Sequence, residues 1–193
     1  NYAERYLAEL NMRYDGTSKF RTNKMWKFFP SVSLGWRISE EAFMKSTRSW
    51  LDNLKLRLSY GSLGNQNLDN WYQTYQTISY SSVAGTWLQN GQKTNITSAP
   101  SLVSALLTWE KVESYNIGLD FGLLNNRLSG SFDYYVRNTK DMVGNAPELP
   151  AILGTGVPVT NNTDLRTNGW ELQISWRDKL HNGLSYSATF NLS

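Results

Sequence analysis

Leu184-Ser-Tyr-Ser-Ala-Thr-Phe-Asn-Leu192 alternates without a break. Leu184, Tyr186, Ala188, Phe190 and Leu192 fall on one face of an extended chain; Ser185, Ser187, Thr189 and Asn191 fall on the other. Side chains of a strand point to opposite faces with period two, so this stretch has one oily side and one wet side. Six further stretches repeat the arrangement. Tyr6, Ala8, Leu10, Met12 and Tyr14 oppose Arg5, Glu9, Asn11 and Arg13. Val32, Leu34, Trp36 and Ile38 oppose Ser31, Ser33, Gly35, Arg37 and Ser39. Pro30 is expected at the first position of that second strand, where a missing N–H is tolerated. Leu54, Leu56, Leu58 and Tyr60 oppose Lys55, Arg57, Ser59 and Gly61, and Tyr115, Ile117, Leu119, Phe121 and Leu123 oppose Ser114, Asn116, Gly118, Asp120 and Gly122. Leu128, Phe132, Tyr134 and Val136, interrupted by Gly130, oppose Ser129, Ser131, Asp133, Tyr135 and Arg137. Trp170, Leu172, Ile174 and Trp176 oppose Glu171, Gln173, Ser175 and Arg177.

Two all-β architectures use such strands: a soluble β-sandwich and the wall of an antiparallel transmembrane β-barrel. Three features favour the barrel. Each stretch can supply the roughly 9–11 residues that a tilted strand needs to cross a bilayer. The wet faces carry Ser, Asn, Gly, Asp and Arg, and rings with one polar end (Tyr14, Trp36, Tyr60, Tyr134, Trp170, Trp176) stand near the ends of the oily faces, as in an interfacial girdle. The connections also alternate in length. Glu40–Asn53, Leu124–Arg127 and Asp178–Gly183 are the short ones, two of them tight turns with Asn125-Asn126 and Asn182-Gly183 at positions that accept positive φ, the first with room for a helical turn. Asp15–Phe29, Ser62–Val112 and Asn138–Asn168 are long, which puts the large loops on one side of the sheet.

Composition agrees with that class. Nineteen Lys and Arg against 16 Asp and Glu give a net charge of +3, spread along the chain with no basic block, so nucleic acid is not an expected partner. There is no cysteine, hence no disulfide or thiolate metal site. The lone histidine, His181, falls in a predicted short turn, and neither GxSxG, HExxH nor a P-loop occurs, so no enzyme, cofactor or metal is expected. Asn65, Asn67 and Asp69 imitate the start of a calcium loop, but Asn70 stands where its glycine is needed and Gln76 where its closing Glu belongs. A count of seven strands is odd and an open edge cannot face lipid, so the wall is expected to belong to a larger barrel.

Several strings carry a family resemblance: Arg13-Tyr-Asp-Gly-Thr-Ser-Lys-Phe20, Phe29-Pro-Ser-Val-Ser-Leu-Gly-Trp-Arg-Ile-Ser39, Leu54-Lys-Leu-Arg-Leu-Ser-Tyr-Gly-Ser-Leu-Gly-Asn-Gln66, Trp109-Glu-Lys, Asn116-Ile-Gly-Leu-Asp-Phe121 and Asp133-Tyr-Tyr-Val-Arg-Asn-Thr-Lys-Asp-Met142. Over essentially the whole chain they resemble the SusC/RagA family of TonB-linked outer-membrane proteins of the Bacteroidetes. The resemblance implies seven consecutive strands from the latter half of a barrel of about 22 strands with a plugged lumen. It further implies coupling to the TonB complex, a SusD-like surface lipoprotein as lid, and import of oligosaccharides or, in some members, peptides. The plug and TonB box of such a receptor are not expected within residues 1–193. A passive porin or adhesin barrel is the other membrane reading, and a soluble carbohydrate-binding sandwich the reading outside the membrane.

Two sets of residues are candidates for contact. In the loop 62–112, Asn65, Gln66, Asn67, Trp71, Tyr72, Tyr75, Tyr80 and Trp87 combine ring faces with amides, suited to sugar or peptide; the same rings could instead pack within the loop or against the lipoprotein. On the wet faces, Arg13, Arg37, Arg57, Asp120, Asp133, Arg137, Glu171 and Arg177 are expected to face the lumen, either tuning passage or pairing to hold plug and wall together.

Overall fold

The computed structural model describes residues 1–193 apart from 67, 69, 82–84, 98–99, 149, 151, 153 and 182. Seven long strands, β1 (Tyr6–Gly16), β2 (Trp26–Arg37), β3 (Leu51–Asn65), β8 (Glu110–Leu123), β9 (Leu128–Asn145), β10 (Val159–Lys179) and β11 (Ser185–Leu192), form one antiparallel sheet in that order. Within the β3–β8 connection lie four two-residue strands, β4 (Tyr80–Ser81), β5 (Leu88–Gln89), β6 (Gln92–Lys93) and β7 (Ile96–Thr97), paired β4 with β7 and β5 with β6. Short 3₁₀ turns occupy Thr22–Lys24, Ile38–Glu40 and Ala42–Thr47. Each long strand pairs with its neighbour in the chain, as an up-and-down wall requires.

The register keeps the two faces apart. Ala8 lies opposite Leu34, Leu34 opposite Leu58, Leu58 opposite Ile117, Ile117 opposite Tyr134 and Tyr134 opposite Trp170, a single apolar row across six strands. Leu172 meets Leu192 and Ile174 meets Phe190 on the last pair. A slip of one residue anywhere would turn a whole strand's oily set to the wet side. This face has no protein cover: Leu34 is 49% exposed, Ile117 45% and Phe190 58%. A sandwich would bury the same side chains against a second sheet. Apart from Leu51 beside the short turns, the buried apolar residues among those described lie at the long-loop end, where Phe20, Phe29, Leu68, Leu107 and Trp109 cluster.

Several sequence expectations change. The connection read as 138–168 is mostly strand, because β9 runs to Asn145 and β10 starts at Val159, leaving 146–158 as the loop. The β9–β10 ladder continues through Asn138↔Arg166 and Thr139↔Leu165 and then past two register shifts. There both faces are wet, so backbone pairing persists without apolar alternation to announce it. β2 also begins earlier, at Trp26, so Pro30 is an interior residue and not the first. Its tolerance has a clear cause. Arg37 donates its N–H to the Arg5 carbonyl beside β1, so by alternation the even-numbered residues of β2 address β3. Pro30 lacks that donor, and the β2–β3 ladder stops at Ser31↔Gly61. Ile38 leaves the strand and opens a 3₁₀ turn, which with Ala42–Thr47 fills the helical space expected in the β2–β3 connection. In the β8–β9 turn the left-handed run covers Leu124, Asn125 and Asn126, with φ of 57°, 56° and 58°; the Asn126 N–H donates to Asp52 Oδ2 at 2.8 Å. Of the expected Asn182-Gly183 turn, Asn182 lies outside the described residues, and Gly183 has φ of 87°.

The break in the apolar face at Gly130 is filled from across the ladder. Phe121 lies opposite, and a Cβ on Gly130 would stand 2.6 Å from its Cζ and 2.5 Å from the Gln173 carbonyl oxygen. Gly130→Ala is therefore expected to destabilise the barrel by about 1–3 kcal/mol, as overpacking does. Adding Phe121→Ala should restore only part of the loss, because the Gln173 carbonyl is backbone and stays. Urea unfolding of the three variants in the full-length protein measures this.

Candidate functional site: inner face and loop crown

On the wet face one guanidinium ties three strands. Arg57 on β3 donates from Nε to both carboxylate oxygens of Asp120 on β8, at 3.0 and 2.9 Å, and from a terminal nitrogen to both oxygens of Asp133 on β9, at 3.1 and 2.9 Å. The second reach crosses β8 above Gly118, which lies opposite both Arg57 and Asp133. A Cβ there would sit 2.5 Å from Asp133 Oδ1 and 2.7 Å from the Arg57 nitrogen. Glycine at 118 is what lets the fork extend across the intervening strand. Of the other lumen candidates, Arg13 pairs along its own strand with Asp15 at 2.5 Å. Arg37, Arg137, Glu171 and Arg177 are exposed on the same face, with no ion pair among the described residues.

At the long-loop end a second construction joins two connections, 17–25 and 66–109, to the ends of β9 and β10. The Trp109 ring packs on Phe20 (5.7 Å) and edge-on to Phe29 (5.6 Å), with Leu68, Leu107, Val143 and Val159 around them. Phe29 occupies the gap left by the interrupted β2–β3 ladder, its ring standing where any side chain on Gly64 would go. Cations of the 17–25 connection then stitch it to the carbonyls of 66–109. Lys19 Nζ donates to the carbonyls of Gln66 and Leu68 (both 3.3 Å), Arg21 to that of Thr74 (3.2 Å) and Lys24 to that of Leu106 (2.6 Å). The Thr74 hydroxyl donates back to the Lys19 carbonyl, and Trp109 Nε1 donates to that of Met25. Asn161 closes the third side, accepting from the Thr108 N–H and donating to the carbonyls of Thr108 and Asp141.

Both readings of the loop rings can be compared with this crown. Trp71, Tyr72, Tyr75, Tyr80 and Trp87 are exposed, Trp71 at 69%, and none of them stacks on another ring among the described residues; Lys19 Nζ lies 4.7 Å above the Trp71 ring. Asn65 Nδ2 donates to Glu110 Oε2 at 2.7 Å, which ties it to the wall, and the Gln66 carbonyl is taken by Lys19. Asn67 and Asp69 lie outside the described residues. The packing side chains are others: Phe20, Phe29 and Trp109. Ring composition alone could not separate the two groups, although the apolar run around Leu106, Leu107 and Trp109 hinted at burial.

Residues 1–193 match, as a whole, the family described as TonB-dependent receptor-like β-barrel. The TonB-dependent receptor SusC of Bacteroides thetaiotaomicron is 34% identical over all of this chain and 19% of its own length; the TonB-dependent receptor P39 of Formosa agariphila is 32% identical over all of this chain and 18% of its own. Among solved structures, the RagAB peptide importer in its open-open state superposes with a TM-score of 0.81 at 27% identity, covering 99% of this chain and 20% of that one. The RagAB peptide transporter gives 0.77. The chain belongs to the TonB-dependent receptor β-barrel family. It is of the SusC/RagA type and spans about a fifth of the length of the curated relatives it matches.

In a receptor barrel of this kind the short turns lie at the periplasmic rim. There Glu41, between two 3₁₀ turns, accepts from the Tyr6 hydroxyl (2.7 Å) and Trp36 Nε1 (3.1 Å), with Arg5 at 3.5 Å. One carboxylate thus satisfies the polar ends of two girdle rings. Those hydrogen bonds, opposed by burial, hold the Glu41 carboxyl below the usual carboxylate range. The associated stability is complete above that range and is lost as pH falls through the lowered native value. Trp36 fluorescence in the full-length receptor should shift over that acid interval and lose the transition in Glu41→Gln. At the other rim, Trp109→Ala removes a ring only 2% exposed and should cost about 3–5 kcal/mol locally. Hydrogen exchange should rise together in 17–25, 66–109 and 146–158, and a rise confined to 66–109 would count against a shared core.

Proposed function

We propose that this chain is a wall segment of an outer-membrane importer of oligosaccharides, energised through TonB and closed outside by a SusD-like lipoprotein. Cargo is held at the long-loop side between loops and lid, and passes through the lumen when the plug, which belongs to the rest of the receptor, is remodelled by the TonB complex. The protein does no chemistry on the cargo. What carries the import reading is the uncovered apolar face in continuous register across the sheet, joined to a family match over the whole chain. Oligosaccharide is favoured by the five exposed rings Trp71, Tyr72, Tyr75, Tyr80 and Trp87, whose free faces can stack on sugar C–H groups beside loop amides. A peptide cargo is the second reading, favoured by the superposition on the RagAB peptide importer.

The wall is tested by two adjacent substitutions. Leu34→Arg in the full-length receptor places a cation on the lipid face and should cost about 2–4 kcal/mol near the bilayer midplane, whereas Ser33→Arg, facing the lumen, should be tolerated far better. Equal losses of heat-resistant folded barrel would remove the face assignment. The cargo is tested with cells carrying Trp71→Ala with Trp87→Ala. Labelled-oligosaccharide uptake should fall while barrel folding is kept, and a fall in peptide uptake alone would transfer the reading to peptide.

A further inference from the structure

The lipid-facing side of β8, β9 and β10 continues beyond the girdle rings at the long-loop rim. Counting upward from Tyr115 and Val136 in unbroken register, the next outward positions are Glu113, opposite Asn138, then Lys111, opposite Lys140; Arg166 lies opposite Asn138 on its other side. Three cations therefore stand on three adjacent strands beyond the rings, Lys111 four residues past Tyr115, Arg166 four past Trp170 and Lys140 six past Tyr134. Glu113, 7% exposed, holds two of them together: Lys111 Nζ is 2.6 Å from one carboxylate oxygen and Lys140 Nζ 2.9 Å from the other. An ammonium has three donors, so each lysine keeps hydrogen-bonding capacity after meeting that carboxylate. Arg166 is exposed and has no ion pair among the described residues. Other acids stand nearby: Asp164, whose charge acts on Lys140 and whose Oδ1 accepts from the Asp141 N–H at 3.0 Å; Asp141 itself; and Glu110, whose oxygens accept from Asn65 Nδ2 and the Val143 N–H.

The opposite rim of the same face differs in sign. There the outward positions end in Leu123 and Leu128, opposite each other, and Asp178; Arg127 of the turn engages Asp178 at 3.4 Å and Arg5 engages Glu41. Among the described strand residues of this face, cations thus outnumber acids at the long-loop edge, where lipid headgroups meet water. Basic groups at that depth are drawn to anionic headgroups and, with long side chains, reach them while their stems stay on the apolar face.

We propose that Lys111, Lys140 and Arg166 form a docking site for the phosphate of a phosphorylated lipid in the leaflet on the long-loop side, with Glu113 as the positioning residue that sets the lysine pair. The site is outside the lumen and independent of cargo, resting only on the face assignment. Its test uses the full-length receptor in nanodiscs containing synthetic bisphosphorylated lipid A or the same lipid without phosphates, with retained lipid counted by native mass spectrometry. The wild type should retain the phosphorylated form in preference, by about fivefold per cation engaged. Lys111→Gln with Lys140→Gln and Arg166→Gln should abolish the preference, whereas Arg137→Gln, next along β9 but on the wet face, should leave it intact. Glu113→Gln should spread the lysines and weaken the preference without abolishing it. Each variant is first checked for heat-modifiable barrel mobility, and single substitutions replace the triple one if that is lost. Equal retention of both lipids by the wild type, or an undiminished preference in the folded triple or single variants, would overturn the site while leaving the import reading untouched.

Discussion

In hydrocarbon a backbone N–H or C=O without a partner costs several kcal/mol, so a chain crossing as strands must keep its ladder intact through the apolar band. The ladder here is continuous through most of that band. From Tyr6 to Tyr14 the β1–β2 pairing runs without shifts, as β3–β8 does from Tyr115 to Gly122; the Leu51/Asn53 shift lies beside the short turns and the two shifts between Asn161 and Leu165 toward the long loops, while the β2–β3 ladder stops short of Pro30, opposite Met12. Eight residue steps separate Tyr6 from Tyr14, about 27 Å along a strand and roughly 20 Å across the bilayer at a 40° tilt, close to the apolar height of outer-membrane barrels. Pro30 brings no N–H that would be left unpaired, and the shifts lie toward the strand ends, where water can reach the freed groups.

That same constraint explains what could be read without coordinates. The strands and faces were legible because lipid on one side and water on the other impose strict alternation, as in 184–192 and 54–61. Once both faces are wet, as in Asn138–Asp141 and Asn161–Asp164, the alternation disappears although pairing continues, and the strand extensions became visible only in the structure. Arg57 was legible as a residue of the wet face but its partners were not. Asp120 and Asp133 lie 63 and 76 positions away, and only the register brings them to one guanidinium. The loop rings divide by contact rather than by type: Trp109 and Trp71 look alike in the chain, yet one is buried under Phe20 and Phe29 and the other lies open beneath Lys19.

The two faces use charge differently. On the wet face, Arg57 and its two carboxylates are half-buried and mutually satisfied, so they brace β3, β8 and β9 against shear, while Arg37, Arg137 and Arg177 stay exposed with no ion pair among the described residues. A bidentate fork across a glycine is directional, and a lysine at 57 would supply charge without bracing both carboxylates in a plane. At the rims the acids organise other groups. Glu41 gathers Tyr6 and Trp36, and Glu113 gathers Lys111 and Lys140.

The crown places the flexibility of the loops under a specific restriction. Two connections that the sheet alone would leave independent, 17–25 and 66–109, share the ring cluster around Trp109 with the ends of β9 and β10, and the stitches are mostly cation-to-carbonyl bonds that hold backbone rather than side chains. Each such bond is modest, on the order of 1–3 kcal/mol, but several act on one short connection and must break together for it to lift. The exposed rings from Trp71 to Trp87 are therefore carried on a base anchored at both ends, at Leu68 and at Leu107. Binding to a surface built this way carries a small ordering cost, because its base is ordered before anything binds. The interrupted β2–β3 ladder makes that possible. Had Pro30 been able to continue the pairing, Phe29 would have no gap to enter, and the ring cluster would lose the side chain that joins it to the wall.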